Sequence, residues 1–199
     1  MRRREFLGTL LFVACVQFLI FLIIAETQYP GYSTNAHYLS DLGVWDIPSA
    51  PFFNLSVIVF GLLALVGGVL SREDRGLRCI PWLLMVSGAG AIILGVFPMT
   101  VWGLHRLGTF LAFIFAAAAA VRSYWVLSGP LRYISLVLGV ISFLAMVLSV
   151  TNVFLGLGPG GMERMVLYPI LIWLLGFAAV LLSAGGNIDQ DPGAIGEDG

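Results

Sequence analysis

The chain has 199 residues, of which 59% are hydrophobic and 11% are charged, and its formal net charge is −1. Globular domains usually carry about 25% charged residues, so this composition excludes a soluble domain and favours a membrane protein. The small negative charge argues against nucleic acid as a partner. All ten basic residues are arginines, which excludes a reactive lysine.

Six apolar segments have the length of a membrane-spanning helix, which needs about 20 residues. They lie at about 6–25, 51–71, 79–99, 104–124, 133–155 and 163–183. The sequence therefore predicts an all-α, polytopic membrane protein, with residues 1–184 forming one bundle of six transmembrane helices. The tail 185–199 is Gly-rich and acidic without an apolar face, so we expect it to be disordered.

The first linker contains the stretch "NAHYLSDLG", from Asn35 to Gly43, between two long apolar runs. Polar residues precede this stretch and a glycine closes it, which is typical of a short helix with an N-cap and a C-cap. In such a helix His37, Ser40 and Asp41 share one face. The linker is thus a candidate for carrying chemistry.

The fourth apolar segment carries small residues at three- and four-residue spacing: Gly108, Ala112, Ala116 and Ala119. Small residues let helix backbones approach closely, and close packing drives helix association in lipid. The spacing predicts a tightly packed central helix, which would hold His105 firmly at its outer end.

The arginines orient the predicted bundle. Eight of them fall on one side of six spans, and only Arg106 and Arg164 fall on the other. By the positive-inside rule the eight mark the cytoplasm, so both termini are expected to be cytoplasmic and the loop 26–50 extracytoplasmic. The eight are Arg2, Arg3, Arg4, Arg72, Arg75, Arg78, Arg122 and Arg132.

The same topology places most of the chemically active polar residues at one depth, near the outer face. Ionisable groups at a membrane boundary are inexpensive, so each one alone has an ordinary structural explanation. Their convergence favours a binding or catalytic site that opens outward. The members are Glu26, His37, Ser40, Asp41, His105, Arg106, Asn152, Glu163 and Arg164.

Three chemistries fit this set. His37, Asp41 and His105 are ligand types for a divalent metal such as zinc, which would activate water against a lipid ester, although no HExxH pair occurs. Ser40, His105 and Asp41 are alternatively a nucleophile, a base and an orienting group. Arg106 and Arg164 would bind a lipid phosphate without any reaction.

The chain resembles the prokaryotic domain-of-unknown-function family nine-nine-eight, within the FRAG–DRAM–SFK superfamily of six-span proteins. That resemblance implies functional positions at Ser40, Asp41 and Gly43, at His105 and Gly108, and at Glu163. It also implies a link to lipid biology, without a settled activity. The residues that carry it are "YPGYSTNAHYLSDLG", "PSAPFFN", "LHRLGTFLAFIF" and "MERMVLYPILIWLL".

We therefore expect an outward-facing pocket that binds a lipid headgroup or acyl ester, with membrane lipids as partners. In the catalytic hypotheses the pocket also modifies that lipid. Asp41, His105, Glu163 and Ser40 would carry any reaction. A transporter is the first alternative, and it would need a polar path through Gln17, the one clearly mid-membrane polar residue. A non-catalytic membrane scaffold is the second.

Overall fold

The computed structural model describes residues 3–183, and every regular element in that range is helical. The predicted all-α fold is thus confirmed for the described range, whereas the tail 185–199 lies outside it. Short 3-10 turns occur at Ser40–Gly43, Arg75–Leu77 and Ser123–Trp125. The helices are α1 (Arg3–Gln28), α2 (Ala50–Ser71), α3 (Ile80–Val96), α4 (Trp102–Arg122), α5 (Leu131–Val150) and α6 (Gly158–Ser183).

Five of the six helices are long and apolar enough to cross a membrane, and α3 is a shorter apolar helix of 17 residues. It ends at Val96, earlier than predicted, because Pro98 follows Phe97, and a residue before proline is disfavoured in helical geometry. Seventeen residues rise about 25 Å, somewhat less than a hydrocarbon core of about 30 Å.

Helix α6 begins at Gly158, five residues before the predicted start at residue 163. Pro159 is the second residue of the helix, where its missing N–H costs nothing. Gly160 is required there because a Cβ atom at this position would collide with the carbonyl oxygens of His37 and Thr34. Glu163 consequently lies more than one turn inside the helix.

The helices surround a common centre. Each packs against its neighbours in the chain, and α1 closes the arrangement against α6. Side chains of α1, α2, α3, α4 and α6 line a central apolar cavity, while α5 packs against α4 and α6.

Small residues set the spacing between helices, as the sequence predicted for α4. Gly108, Ala112, Ala116 and Ala119 are all buried. A Cβ atom on Gly108 would lie 2.8 Å from the backbone nitrogen of Leu94, so α3 and α4 are in backbone contact there. Close contact of this kind supplies the dispersion energy that holds helices together in lipid.

The start of α1 lies beside the link between α2 and α3. Arg3 pairs with Glu73 at 2.6 Å, and Arg4 makes two bonds to Asp74, at 2.6 and 2.8 Å. Because successive helices alternate in direction, the link between α4 and α5 lies at this end too. We call it the arginine end, and its described arginines are Arg3, Arg4, Arg72, Arg75, Arg78, Arg122 and Arg132.

The bond between Arg4 and Asp74 makes a pH-dependent contribution to stability. The guanidinium lowers the pKa of Asp74 below its ordinary value. The contribution is therefore present above about pH 4 and disappears as the pH falls through the lowered pKa. Since Arg4 is 47% exposed, we expect Asp74→Asn to cost only about 0.5 kcal/mol at pH 7. Thermal melts at pH 7 and about pH 3 check this, and a difference that grows in acid would contradict it.

Candidate functional site

The segment 29–49, which we call the outer linker, folds over the end of the bundle opposite the arginine end. Leu42 is fully buried and Leu39 is nearly so. The Ser49 hydroxyl donates to the Leu42 carbonyl oxygen at 2.8 Å, and the Asn54 amide donates to the Gly43 carbonyl oxygen at 2.9 Å. These bonds fix the linker to the start of α2, so it is a packed cover over the central cavity.

The regular structure in this linker is smaller than predicted. Only Ser40–Gly43 forms a helical turn, of the 3-10 type. The Asp41 carboxylate turns back and accepts a hydrogen bond from the Tyr38 backbone N–H at 2.8 Å. Neighbouring residues in such a turn point in different directions, and Ser40 and Asp41 accordingly meet different partners.

A polar cleft lies under the outer linker, between it and helices α4, α5 and α6. Its inner part adjoins the central apolar cavity, since the two share the lining residues Leu39, Phe53, Leu94 and Phe113. Its outer part opens at a mouth between α4 and α5. The residues common to its inner and outer parts are Ser40, His105, Thr109, Met146, Ser149 and Glu163.

Glu163 is fixed in this cleft by the outer linker. Its Oε1 accepts a hydrogen bond from the Ser40 hydroxyl, and its Oε2 accepts one from the Ser40 backbone N–H, both at 3.1 Å. The Ser40 hydroxyl also lies 3.5 Å from the Met99 sulfur. The two bonds hold the carboxylate in one orientation and tie α6 to the linker.

His105 is the second chemical group of the cleft, and it is 8% exposed. Its Nδ1 lies 2.9 Å from the carbonyl oxygen of Phe97. A carbonyl oxygen only accepts hydrogen bonds, so Nδ1 carries the proton. In a neutral imidazole the other nitrogen, Nε2, then has a free lone pair, and nothing in residues 3–183 donates a hydrogen bond to it. His105 is therefore held as an acceptor or base on the cleft wall.

The mouth of the cleft carries a cation. Arg106 is exposed, and its guanidinium carbon lies 4.5 Å from the centre of the Trp102 ring. Asn152 and Tyr38 also line the mouth. No carboxylate pairs with Arg106 in the described part of the chain, so its donors are available to an anion.

Arg164 has a different environment, although it follows Glu163 directly. Its guanidinium donates to Glu26 Oε1 at 2.5 Å, to the Tyr32 hydroxyl at 2.9 Å, and to the carbonyl oxygens of Thr34 and Gly160 at 3.1 Å each. The predicted phosphate contact therefore does not fit Arg164, because its donors bond within the protein. Arg164 and Glu26 instead form a network that holds α1, α6 and the linker together.

The predicted metal set is not assembled. Within residues 3–183 no group of three or more His, Cys, Asp or Glu side chains lies close enough to hold a metal ion. His37 accepts a hydrogen bond at Nδ1 from the Ser33 backbone N–H and stacks on the Tyr32 ring at 5.7 Å. His105 instead faces the cleft, so the two histidines serve separate structures.

The predicted serine triad is not assembled either. Ser40 is bonded to Glu163 and Asp41 to the Tyr38 backbone, and no hydrogen bond among residues 3–183 links either of them to His105. Burial raises the pKa of Asp41, whereas the bond from Tyr38 acts in the opposite direction. Asp41 is also not among the residues that line the cleft.

Several lining residues were not anticipated. Thr109 follows His105 by one helical turn, and its hydroxyl donates to the His105 carbonyl oxygen at 2.9 Å. Ser149 lies one turn before the predicted Asn152. Thr109 lies on the same helix as His105, so helical spacing would have found it, whereas Asn152 lies beyond the end of α5 and gives no such spacing for Ser149.

Comparison with known proteins gives one finding. A family model described as "Protein of unknown function (DUF998)" matches residues 12–180, which is most of the chain and includes every residue of the cleft. The search of curated proteins and the search of solved structures gave no match.

Proposed function

We propose that this chain, which belongs to the DUF998 family of proteins of unknown function, is an integral membrane protein that binds a lipid. The headgroup would lie in the polar cleft, and an acyl chain would extend into the central cavity. One observation carries this proposal, namely that a cleft containing a fixed carboxylate and an imidazole adjoins a cavity with apolar walls. A lipid has the same polar-to-apolar order.

The central cavity suits a hydrocarbon chain. Its walls are the side chains of Leu, Phe, Val, Ala and Ile residues, and its one polar lining residue, Ser87, donates its hydroxyl to the Ala112 carbonyl oxygen. The volume is about 70 Å³, less than half of the roughly 150 Å³ of an apolar cavity that binds benzene, so there is room for a short segment of an acyl chain. An apolar cavity of this kind favours an apolar occupant over water.

The mouth of the cleft provides a route from the membrane. It lies between α4 and α5, where Phe110 and Val150 are exposed on the flanking helices. A lipid entering sideways would pass Arg106, whose guanidinium suits a phosphate group. Hydroxyl groups of the headgroup would then donate to the Glu163 carboxylate and to His105 Nε2, both of which accept hydrogen bonds. Charge and polarity thus change in the order that a phospholipid with a hydroxylated headgroup requires.

The placement in the membrane belongs to the same proposal. The arginine end would face the cytoplasm, all six helices would cross, both termini would be cytoplasmic, and the cleft would open at the outer leaflet. We also propose that the chain belongs to the FRAG–DRAM–SFK superfamily and comes from a prokaryote. The clustering of seven described arginines away from the cleft supports this orientation.

The free Nε2 of His105 favours a second candidate, hydrolysis of an acyl ester. Nε2 would accept a proton from water while the water oxygen bonds to the ester carbon, and the imidazolium would return that proton to the departing alcohol. An ester-hydrolysis assay on the purified protein tests this candidate. A His105→Ala variant as active as the wild type would contradict it.

The alternatives receive less support. Gln17 donates its side-chain amide to the carbonyl oxygens of Ala14 and Ser56, so it joins α1 to α2 and opens no polar route. A transporter therefore lacks a supporting feature in residues 3–183. A scaffold would require that the cleft residues be dispensable, which the following experiment decides.

We expect His105→Ala to reduce lipid retention about tenfold, because the cleft loses its acceptor nitrogen. Native mass spectrometry of protein extracted in mild detergent measures the retained lipid. His37→Ala is the matched control, since His37 lies at the same end of the bundle but outside the cleft lining. Its retention should stay within about twofold of the wild type. Equal losses in the two variants would contradict the proposed site.

A further inference from the structure

The middle of the chain carries uncompensated positive charge. Between Asp74 and Glu163 the sequence contains no Asp or Glu, although five arginines occur there. Four of these five, all except Arg106, lie at the arginine end. The arginines at the start of α1 pair with Glu73 and Asp74, but those at the link between α4 and α5 have no carboxylate within residues 3–183. This link is therefore a site that favours an anion.

Aromatic rings hold Arg132 in place at this link. Its guanidinium carbon lies 4.1 Å from the centre of the Tyr124 ring and 5.3 Å from that of Tyr133. The two tyrosine rings are themselves in edge-to-face contact, with centres 5.6 Å apart. Cation–π contacts orient the side chain in advance, so a ligand would have less side-chain entropy to remove.

The hydrogen-bonding capacity of Arg132 is not used within the described chain. Its Nε is buried and has no hydrogen-bond partner in residues 3–183. The two terminal Nη nitrogens also have no partner in residues 3–183, and unlike Nε they are not buried, so they are the donors that an external acceptor can reach. The guanidinium fork matches two oxygens of one phosphate group.

A second arginine lies at the same link. Arg122 ends α4, and its guanidinium carbon lies 5.3 Å from the centre of the Trp125 ring. Arg132 is the second residue of α5, whose N-terminal backbone amides also favour negative charge. The two cations thus flank one short turn, which ends two candidate membrane spans.

We propose that this turn binds the phosphate of an anionic phospholipid in the leaflet at the arginine end. A lipid is favoured over a soluble phosphate because the turn joins two membrane-spanning helices and therefore lies at headgroup depth. The exposed rings of Trp125 and Tyr133 suit the same level, where amphipathic aromatic side chains concentrate. Basic pockets between transmembrane helices are established binding sites for anionic headgroups.

The test compares lipid binding to the purified full chain. Native mass spectrometry measures phosphatidylglycerol and phosphatidylcholine retained from equimolar mixed micelles. We expect phosphatidylglycerol to be preferred, and the double variant Arg122→Gln/Arg132→Gln to weaken its binding about tenfold. The double Lys variant should retain part of the preference, because it keeps the charge but loses the bidentate fork.

Arg75→Gln/Arg78→Gln is the matched control, because it removes two exposed arginines at the same end of the bundle but at the link between α2 and α3. We expect it to leave this phosphatidylglycerol preference within about twofold. Equal retention of the two lipids, an unchanged Arg122→Gln/Arg132→Gln variant, or an equal loss in the control variant would each overturn the proposal. If the double variant does not fold, Arg122→Gln alone gives the same test with a loss of about threefold. Failure here leaves the cleft proposal intact, since His105→Ala tests that separately.

Discussion

Arg164→Met is expected to lower the free energy of unfolding by about 3 kcal/mol and to release the outer linker. The Arg164 and Glu26 side chains are only 11% and 27% exposed. Removing one partner of a buried ion pair leaves the other charge uncompensated, which typically costs about 3–5 kcal/mol. The lower value applies because Glu26 keeps some contact with water. The carbonyl oxygen of Thr34 and the hydroxyl of Tyr32 lose a donor in the same substitution.

Thermal melts and limited chymotrypsin digestion measure this effect. The linker contains Tyr32 and Tyr38 as partly buried cleavage sites, and its release should expose them. Arg106→Met is the matched control, since it also replaces an arginine near the start of a helix at this end, but one that is exposed. The free energy of unfolding of this control should lie within about 0.5 kcal/mol of the wild-type value. Identical melting and cleavage of the two variants would show that the Arg164 network does not hold the linker.

Gly88→Ala should destabilise the bundle by about 2 kcal/mol or more. A Cβ atom at this position of α3 would lie 2.6 Å from the Gly61 carbonyl oxygen and 2.8 Å from the Leu65 backbone nitrogen. Both are backbone atoms of α2, so the helices must move apart. The cost of such overpacking, about 1–3 kcal/mol, adds to the dispersion contacts that the separated helices lose. It exceeds the gain of about 1 kcal/mol in helix propensity.

Gly103→Ala separates the effect of helix propensity from the effect of overpacking. Gly103 lies in the first turn of α4, and a Cβ atom there meets nothing within 4 Å. This substitution should be neutral or stabilise the protein by about 0.5 kcal/mol. Melting curves of the two variants in one detergent measure the difference. A Gly88→Ala protein as stable as Gly103→Ala would mean that α2 and α3 are not in backbone contact.

The helices were largely predictable, because composition and segment length report directly on burial in lipid. The ends were harder to place. Helix α3 stops early since Pro98 restricts Phe97, and α6 starts early because the glycines near Pro159 fit against the linker backbone. A glycine in a sequence normally disfavours a helix. Where another backbone crosses closely, however, the packing requires glycine because it has no Cβ atom.

The polar residues were predictable by depth but not by direction. Sequence placed Ser40, His105 and Glu163 at one level, and the structure brings these three to one cleft. It also placed Arg164 there, yet adjacent residues on a helix point about 100° apart. Glu163 therefore faces the cleft while Arg164 binds Glu26.

Composition and residue pattern are enough to predict a membrane protein made of helices, with its arginines at one end and its reactive groups at the other. These properties depend on hydrophobicity, segment length and charge, which can be summed residue by residue without knowing the tertiary contacts. Which of these groups remain free to bind a ligand depends instead on tertiary contacts. Within residues 3–183 Arg164 donates its hydrogen bonds to the protein, whereas Arg106 stacks on Trp102 and pairs with no carboxylate. His105 presents its Nε2 to the cleft. These differences arise because hydrogen-bond partners come from segments far apart in sequence.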